Sequence, residues 1–111
     1  MFNGRKTVDM FGLIKKMFGG NRPDFKSLVQ AGAVMIDVRS PGEFASGHAK
    51  GCVNIPLDNI QSVTKKYKKS DVLILCCRSG MRSGSATKQL KALGFQSVYN
   101  AGPWQNLNGV K

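Results

Sequence analysis

Apolar residues along this chain fall into short runs, separated by segments in which they recur every three or four positions. Four runs predict strands that are buried on both faces, at residues 34–38, 52–55, 72–76 and 97–99. The intervening segments have the spacing of helices. This alternation predicts an α/β fold, a single domain with a parallel sheet and helices on both of its faces.

Helix boundaries can be predicted from the residues that start and stop helices. Pro23 and Asp24 predict the start of a helix that Gly32 ends. A short helix or turn is expected at 40–44, another helix across 60–67, and a last helix from about 83 to 93, with Gly94 directly after its end.

Residues 1–22 are predicted to be an N-terminal extension to a domain that spans residues 23–111. Phe11, Ile14 and Phe18 have helical spacing beside two lysines, which predicts a short amphipathic helix that Gly19 and Gly20 end. Such a helix can pack on the domain, fray, or anchor the chain to a membrane. It is short for an anchor, so we expect no membrane association.

The charge of the chain is unusually positive. The 111 residues include 17 Lys and Arg but 6 Asp and Glu, a formal charge of +11, and such a field attracts anions of any size. Nucleic acid and a small dianionic substrate are both candidates. The basic residues are scattered and no aromatic residues interleave with them, so we expect no specific nucleic-acid binding.

Three cysteines, two of them adjacent, do not form a disulfide framework. No apolar stretch approaches the length of a membrane span. Both observations predict a cytoplasmic protein in a reducing compartment. We expect neither a metal site nor a cofactor.

A cysteine at a strand-to-helix turn is the strongest chemical signal. Cys77 follows the predicted strand at 72–76 and precedes a turn rich in glycine and arginine. Loop N–H groups and the positive end of the helix dipole would point at its sulfur, and Arg78 and Arg82 lie nearby. Gly80 and Gly84 are expected to let the backbone turn its N–H groups inward. The predicted site comprises Cys77 as nucleophile and, around the anion, Arg78, Ser79, Gly80, Met81, Arg82 and Ser83.

Three segments in this order resemble the rhodanese domain, and in particular its small single-domain bacterial members. They are Ile36-Asp37-Val38-Arg39 with Glu43-Phe44 and Gly47-His48, then Gly51 with Asn54-Ile55-Pro56, then Cys77-Arg78-Ser79-Gly80-Met81-Arg82-Ser83. The resemblance covers about residues 24–107. Family members usually begin with a short strand, for which residues 21–23 leave little room, so a sheet of four to five strands is expected.

The resemblance implies a thiosulfate sulfurtransferase. In the family the matching cysteine takes the sulfane sulfur of thiosulfate or another small anionic donor, as a persulfide, and passes it to cyanide or a thiol. A thioredoxin-like protein or a low-molecular-weight thiol would be the acceptor. Two alternatives remain open: a non-catalytic regulatory or sulfur-carrier module, and a phosphatase or arsenate reductase, because Cys76 and Arg82 have Cys-x5-Arg spacing.

Other polar and reactive residues are expected to be structural. Cys76 and Cys52 are predicted to be buried thiols. Asp37, Arg39 and Glu43 are expected to form ion pairs and caps at the end of the first strand, and either loop arginine could pair with such a carboxylate. We expect no catalytic role for His48, and Trp104 is expected in the core or at its rim.

Overall fold

A computed structural model describes residues 23–111 as four parallel strands with helices on both faces. The strands are β1 (Val34–Asp37), β2 (Val53–Asn54), β3 (Val72–Cys77) and β4 (Ser97–Pro103). Their order in the sheet is β2-β1-β3-β4. The two central strands are β1 and β3, which pair in parallel from Val34 with Leu73 to Asp37 with Cys76.

Helices and 3-10 turns connect these strands. The α-helices are α1 (Phe25–Gln30), α2 (Pro41–Ser46), α3 (Val63–Lys66) and α4 (Met81–Ala92), and the 3-10 helices are Leu57–Ser62 and Trp104–Leu107. The longest helix, α4, ends as predicted. Gly94 has φ +104 and donates to Lys91, while Phe95 donates to Leu90, the pair of bonds that closes a helix with a left-handed residue.

The sheet separates two hydrophobic cores, and β3 contributes to both because its side chains alternate between the faces. Leu73, Leu75 and Cys77 belong to the core beneath α3 and α4. Ile74 and Cys76 belong to the opposite core, which includes Phe25 of α1 and Leu107. The two faces of this sheet therefore place adjacent cysteines in different environments.

Several boundaries differ from the sequence predictions. The strand predicted at 52–55 is reduced to two residues, and β4 continues to Pro103. The helix predicted across 60–67 is a 3-10 turn with a kink at Asn59, followed by the four-residue α3. The amphipathic helix predicted at 11–18 lies outside the described residues. None of the helices in the described part of the chain has the length and apolarity needed to cross a membrane.

Candidate active site

Cys77 is the last residue of β3, at the carboxyl end of the parallel sheet. The chain turns there into α4, which begins at Met81, two residues before the predicted start at Ser83. Gly80 makes the early start possible because it adopts the left-handed φ of +99°. The seven residues predicted for the site run without a break from the end of β3 through this turn into the first turn of α4: Cys77, Arg78, Ser79, Gly80, Met81, Arg82 and Ser83.

The sulfur of Cys77 lies among hydrogen-bond donors and has no solvent-exposed surface. The N–H of Gly80 is 2.9 Å from Sγ, the N–H of Ser83 is 3.4 Å away and the Ser83 hydroxyl is 3.3 Å away. Burial is the largest single influence and would raise the pKa of Cys77. The hydrogen bonds from Ser83, Gly80 and Ser79 together outweigh it, so the pKa is lowered.

The role predicted for Gly84, to let the backbone turn its N–H groups inward, is wrong. This residue lies inside α4, has no positive φ, and directs its N–H to the Gly80 carbonyl oxygen at 2.9 Å rather than to sulfur. A side chain here would instead meet Asn100, because a Cβ would lie 3.3 Å from Asn100 Nδ2. Gly84 thus permits the close approach of α4 to the end of β4.

Of the two loop arginines, Arg82 is paired with a carboxylate. Its Nη1 and Nη2 atoms donate to Glu43 Oε1 and Oε2 at 2.7 and 3.0 Å. The guanidinium of Arg82 is the largest reason why the pKa of Glu43 falls to about 2. Arg78 is exposed and has no ion-pair partner between residues 23 and 111. The loop therefore presents one uncompensated guanidinium beside the turn.

The segment after β1 holds Glu43 in place. Arg39 binds the buried Asp37 carboxylate through Nε and Nη2, the shortest contact being 2.7 Å, and Nη2 also donates to the Gly47 carbonyl oxygen at 2.6 Å. Ser40 and Glu43 cap the start of α2 reciprocally. The ion-pair and capping roles predicted for these residues therefore describe the observed contacts, which connect the end of β1 to Arg82.

Cys76 lies on the opposite face of the sheet from the loop donors. It is fully buried, and its hydrogen bond with Cys52, together with burial, raises its pKa far above that of an ordinary thiol. A phosphate loop requires a cysteine thiolate surrounded by the loop amides and the arginine. Here the amides face Cys77, and Arg82 is bound to Glu43. Cys76 and Arg82 have the Cys-x5-Arg spacing in the sequence, but the structure does not bring them together with the loop amides into a phosphate-binding site.

Asn100 is a residue at this site that the sequence reasoning missed. Leu75 pairs with Asn100 but Cys76 pairs with Gly102, so Ala101 is an extra residue in β4 and forms a bulge. The side chain of Asn100 contacts Ser83, Gly80 and Gly102. The available signal was a polar residue at the end of a parallel strand, where ligand sites of such sheets form.

His48 and Trp104 lie elsewhere around the end of β1. The His48 ring stacks on Phe44 with a centroid separation of 3.6 Å, and its Nδ1 is 2.8 Å from the Phe44 carbonyl oxygen. Trp104 is half-buried, with the Arg39 guanidinium 5.0 Å from its ring centre. No group of three or more His, Cys, Asp or Glu side chains suited to a metal ion occurs over residues 23–111.

The densest basic clusters are remote from Cys77. Lys65-Lys66 and Lys68-Lys69 precede β3, whereas Cys77 ends it. The five steps between the ends of this six-residue strand span roughly 17 Å, which is about twice the Debye length at physiological ionic strength. Salt therefore screens these lysines from the sulfur, and Arg78 is the nearer source of positive potential.

Together these features define a class of protein: an α/β domain that surrounds a buried cysteine sulfur with hydrogen-bond donors at the carboxyl end of its parallel sheet. Residues 21–102 match the family model for the rhodanese-like domain, and the chain belongs to this family.

Similar proteins agree with the assignment. Thiosulfate sulfurtransferase 16, chloroplastic, of Arabidopsis thaliana is 37% identical over an aligned length of 83 residues, and the match covers 64% of this chain and 69% of that protein. Thiosulfate sulfurtransferase PspE of Escherichia coli is 36% identical over 69 residues, 60% of this chain and 66% of that protein. The structure of the human single-domain sulfurtransferase TSTD1 is 29% identical with a TM-score of 0.68, over 75% of this chain and 88% of that one. The chain spans about half the length of several other relatives. These names support sulfurtransferase activity at the level of the family.

Proposed function

We propose that the protein is a sulfurtransferase in which Cys77 carries the transferred sulfur as a persulfide. The observation that carries this proposal is the set of donors around Sγ, with the Gly80 N–H at 2.9 Å and two donors from Ser83 within 3.4 Å. Such donors stabilise a sulfur anion, which is both the attacking form of the cysteine and the form of the persulfide.

Thiosulfate is the proposed donor. The Cys77 thiolate attacks the outer sulfur of thiosulfate, the sulfur–sulfur bond of the donor breaks, and its electron pair leaves with sulfite. Sulfite is an acidic leaving group, which favours the exchange. The outer sulfur then lies about 2 Å beyond Sγ, so the loop that now covers Cys77 must rearrange to accept it.

The second half of the reaction regenerates the enzyme. Cyanide or an acceptor thiolate attacks the outer sulfur of the persulfide, and the Cys77 thiolate leaves. The products are thiocyanate or a persulfide on the acceptor. A thioredoxin-like protein or a low-molecular-weight thiol is the proposed acceptor, and another persulfide or polysulfide can replace thiosulfate as donor, because each presents the same sulfur–sulfur bond.

The two loop arginines have different proposed roles. Arg78 is exposed and unpaired among residues 23–111, so we assign it the larger part in attracting a dianion. Arg82 shares its charge with Glu43 at 2.7 Å, and its main proposed contribution is to hold the first turn of α4 in place. Ser79 and Met81, both exposed, complete the rim that the donor meets.

Mass spectrometry after incubation with thiosulfate tests the proposal. One added sulfur atom that maps to Cys77 is the expected result, with loss of the adduct and of thiosulfate:cyanide sulfurtransfer in Cys77→Ser. Cys76→Ser is the matched control and should keep most of the activity, because Cys76 faces the other core. No adduct on the wild-type protein, or an adduct on Cys76, would refute the proposal.

A further inference from the structure

Asn100 is held in one orientation by two backbone groups beside the cysteine loop. Its Nδ2 donates to the Gly80 carbonyl oxygen at 3.0 Å, and its Oδ1 accepts from the Gly102 N–H at 2.9 Å. A flipped amide would oppose N–H to N–H and oxygen to oxygen. The oxygen, and not the nitrogen, of the Asn100 amide is therefore the atom that faces Ser83.

The hydroxyl of Ser83 lies between two acceptors. Its Oγ is 2.6 Å from Asn100 Oδ1 and 3.3 Å from Cys77 Sγ, both within hydrogen-bond reach for oxygen and sulfur. A hydroxyl carries one proton, so Ser83 can donate to only one of them at a time. Asn100 Oδ1 has no proton, so the 2.6 Å contact requires Ser83 to be the donor.

The protonation state of Cys77 decides which acceptor receives that proton. While Cys77 is a thiol, its S–H can donate to Ser83 Oγ, and Ser83 donates to Asn100. When Cys77 loses its proton to solvent, the lone pairs of Ser83 would face an anion, so the sulfur draws the hydroxyl proton away from Asn100, and the 2.6 Å contact with Oδ1 lengthens as the hydroxyl turns to sulfur. Gly102 then remains as the donor to Asn100 Oδ1.

We propose that Asn100 is a positioning residue of the site, which holds the Ser83 hydroxyl toward itself while Cys77 is a thiol and releases it to the sulfur once Cys77 is an anion. Asn100 thus competes with the thiolate for one proton and sets how readily the anion forms. Its importance for sulfur transfer rests on the proposed function, but the competition itself concerns only the free cysteine.

A double-mutant cycle on the pKa of Cys77 tests this competition. The ultraviolet absorbance of the thiolate is titrated against pH and corrected with the matching Cys77→Ser protein. Ser83→Ala is introduced into the wild type, into Asn100→Leu and into Asn100→Asp. The quantity compared is the rise in the pKa of Cys77 that Ser83→Ala causes in each background, so the charge of the aspartate cancels within its own pair.

The two backgrounds should change the effect of Ser83→Ala in opposite directions. In Asn100→Leu the competitor is gone, so loss of the hydroxyl should cost more than in the wild type, by roughly half a pKa unit or about threefold in thiolate fraction. In Asn100→Asp the Ser83 hydroxyl should keep donating its proton to the carboxylate even when Cys77 is an anion. Ser83→Ala should therefore have almost no effect on the pKa of Cys77 in that background. An equal effect in all three backgrounds, or a smaller one in Asn100→Leu, would overturn the proposal.

Further controls separate this result from unfolding and from failure of the proposed function. Asn100 is exposed, so its variants are expected to fold, and the Asn100→Asp comparison stands alone if Asn100→Leu does not. Asn106 holds the same end of β4 by donating to the Ala101 carbonyl oxygen at 2.7 Å, and Asn106→Ala should leave the pKa unchanged. The titration needs no sulfur donor, so absence of a thiosulfate adduct would refute the proposed function without touching this inference.

Discussion

Replacing Gly80 by alanine should weaken both the fold and the anion site. Gly80 has φ +99°, and a Cβ at this position would lie 3.2 Å from Gly102 Cα. A left-handed backbone costs a non-glycine residue about 1–2 kcal/mol, and the contact with Gly102 requires a shift of a few tenths of an ångström. We expect a loss of about 1–3 kcal/mol in the free energy of unfolding, measured with denaturant.

The same substitution should raise the pKa of Cys77. The Gly80 N–H, 2.9 Å from Sγ, is the nearest donor to the sulfur and moves with the strained turn. A hydrogen bond to a charged group contributes about 1.5–3 kcal/mol, and one pKa unit corresponds to about 1.4 kcal/mol. With partial loss of this bond we expect a rise of about one unit, measured by the absorbance of the thiolate.

Gly32→Ala is a matched control for Gly80→Ala. Gly32 has φ +109°, and no atom lies within 4 Å of the position its Cβ would take, so it has the backbone strain without the contact and lies far from the sulfur in the chain. It should lower stability while leaving the pKa of Cys77 unchanged. If Gly80→Ala shifted that pKa no more than Gly32→Ala does, the Gly80 amide would not be a determinant of the thiolate.

Three further outcomes are expected. Arg78→Ala should raise the KM for thiosulfate several-fold more than it lowers kcat, and it should weaken the dependence of kcat/KM on ionic strength. Lys66→Ala is the control and should have neither effect. Equal kinetics of the two variants would contradict this prediction. Asp37→Asn should cost about 3–5 kcal/mol in denaturant unfolding because it leaves Arg39 buried without its partner, and a loss under about 1 kcal/mol would count against the pair. Because the folded-state pKa of Cys77 is lowered, its thiolate stabilises the fold above the unfolded-state pKa, and this contribution disappears as pH falls through the folded-state pKa; unfolding curves of Cys77→Ser at a series of pH values should lack that component.

The position of Cys77 could be predicted because local features determine it. The apolar run before it forms β3, and Gly80 supplies the left-handed residue of the turn, both of which follow from the residues themselves. The start of the helix predicted over 60–67 could not be predicted in detail. Asn59 departs from helical geometry with φ −110°, and no residue near it is a strong signal for the start of an α-helix, so a 3-10 turn forms there instead. Existence of an element was easier to predict than its boundaries.

Partners distant in sequence were the part that could not be predicted. Glu43 and Arg82 are 39 residues apart, and the sequence left open whether Arg82 binds the donor or a carboxylate. Asn100 reaches Ser83 only because a bulge in β4 changes the register between Leu75 and Cys76. Such a shift depends on how two strands meet in three dimensions, so no periodicity of β4 indicates it.

The complete burial of Cys77 makes loop opening a kinetic step. A reagent can reach the sulfur only in the opened fraction of molecules, so the observed rate is that fraction multiplied by the rate of the open form. Each 1.4 kcal/mol of added loop stability then slows the reaction about tenfold. The same closure keeps peroxide from the thiolate and delays its irreversible oxidation to sulfinic and sulfonic acids. A single property of the loop, its opening equilibrium, thus determines both how fast a reagent reaches the cysteine and how long the thiolate survives an oxidant.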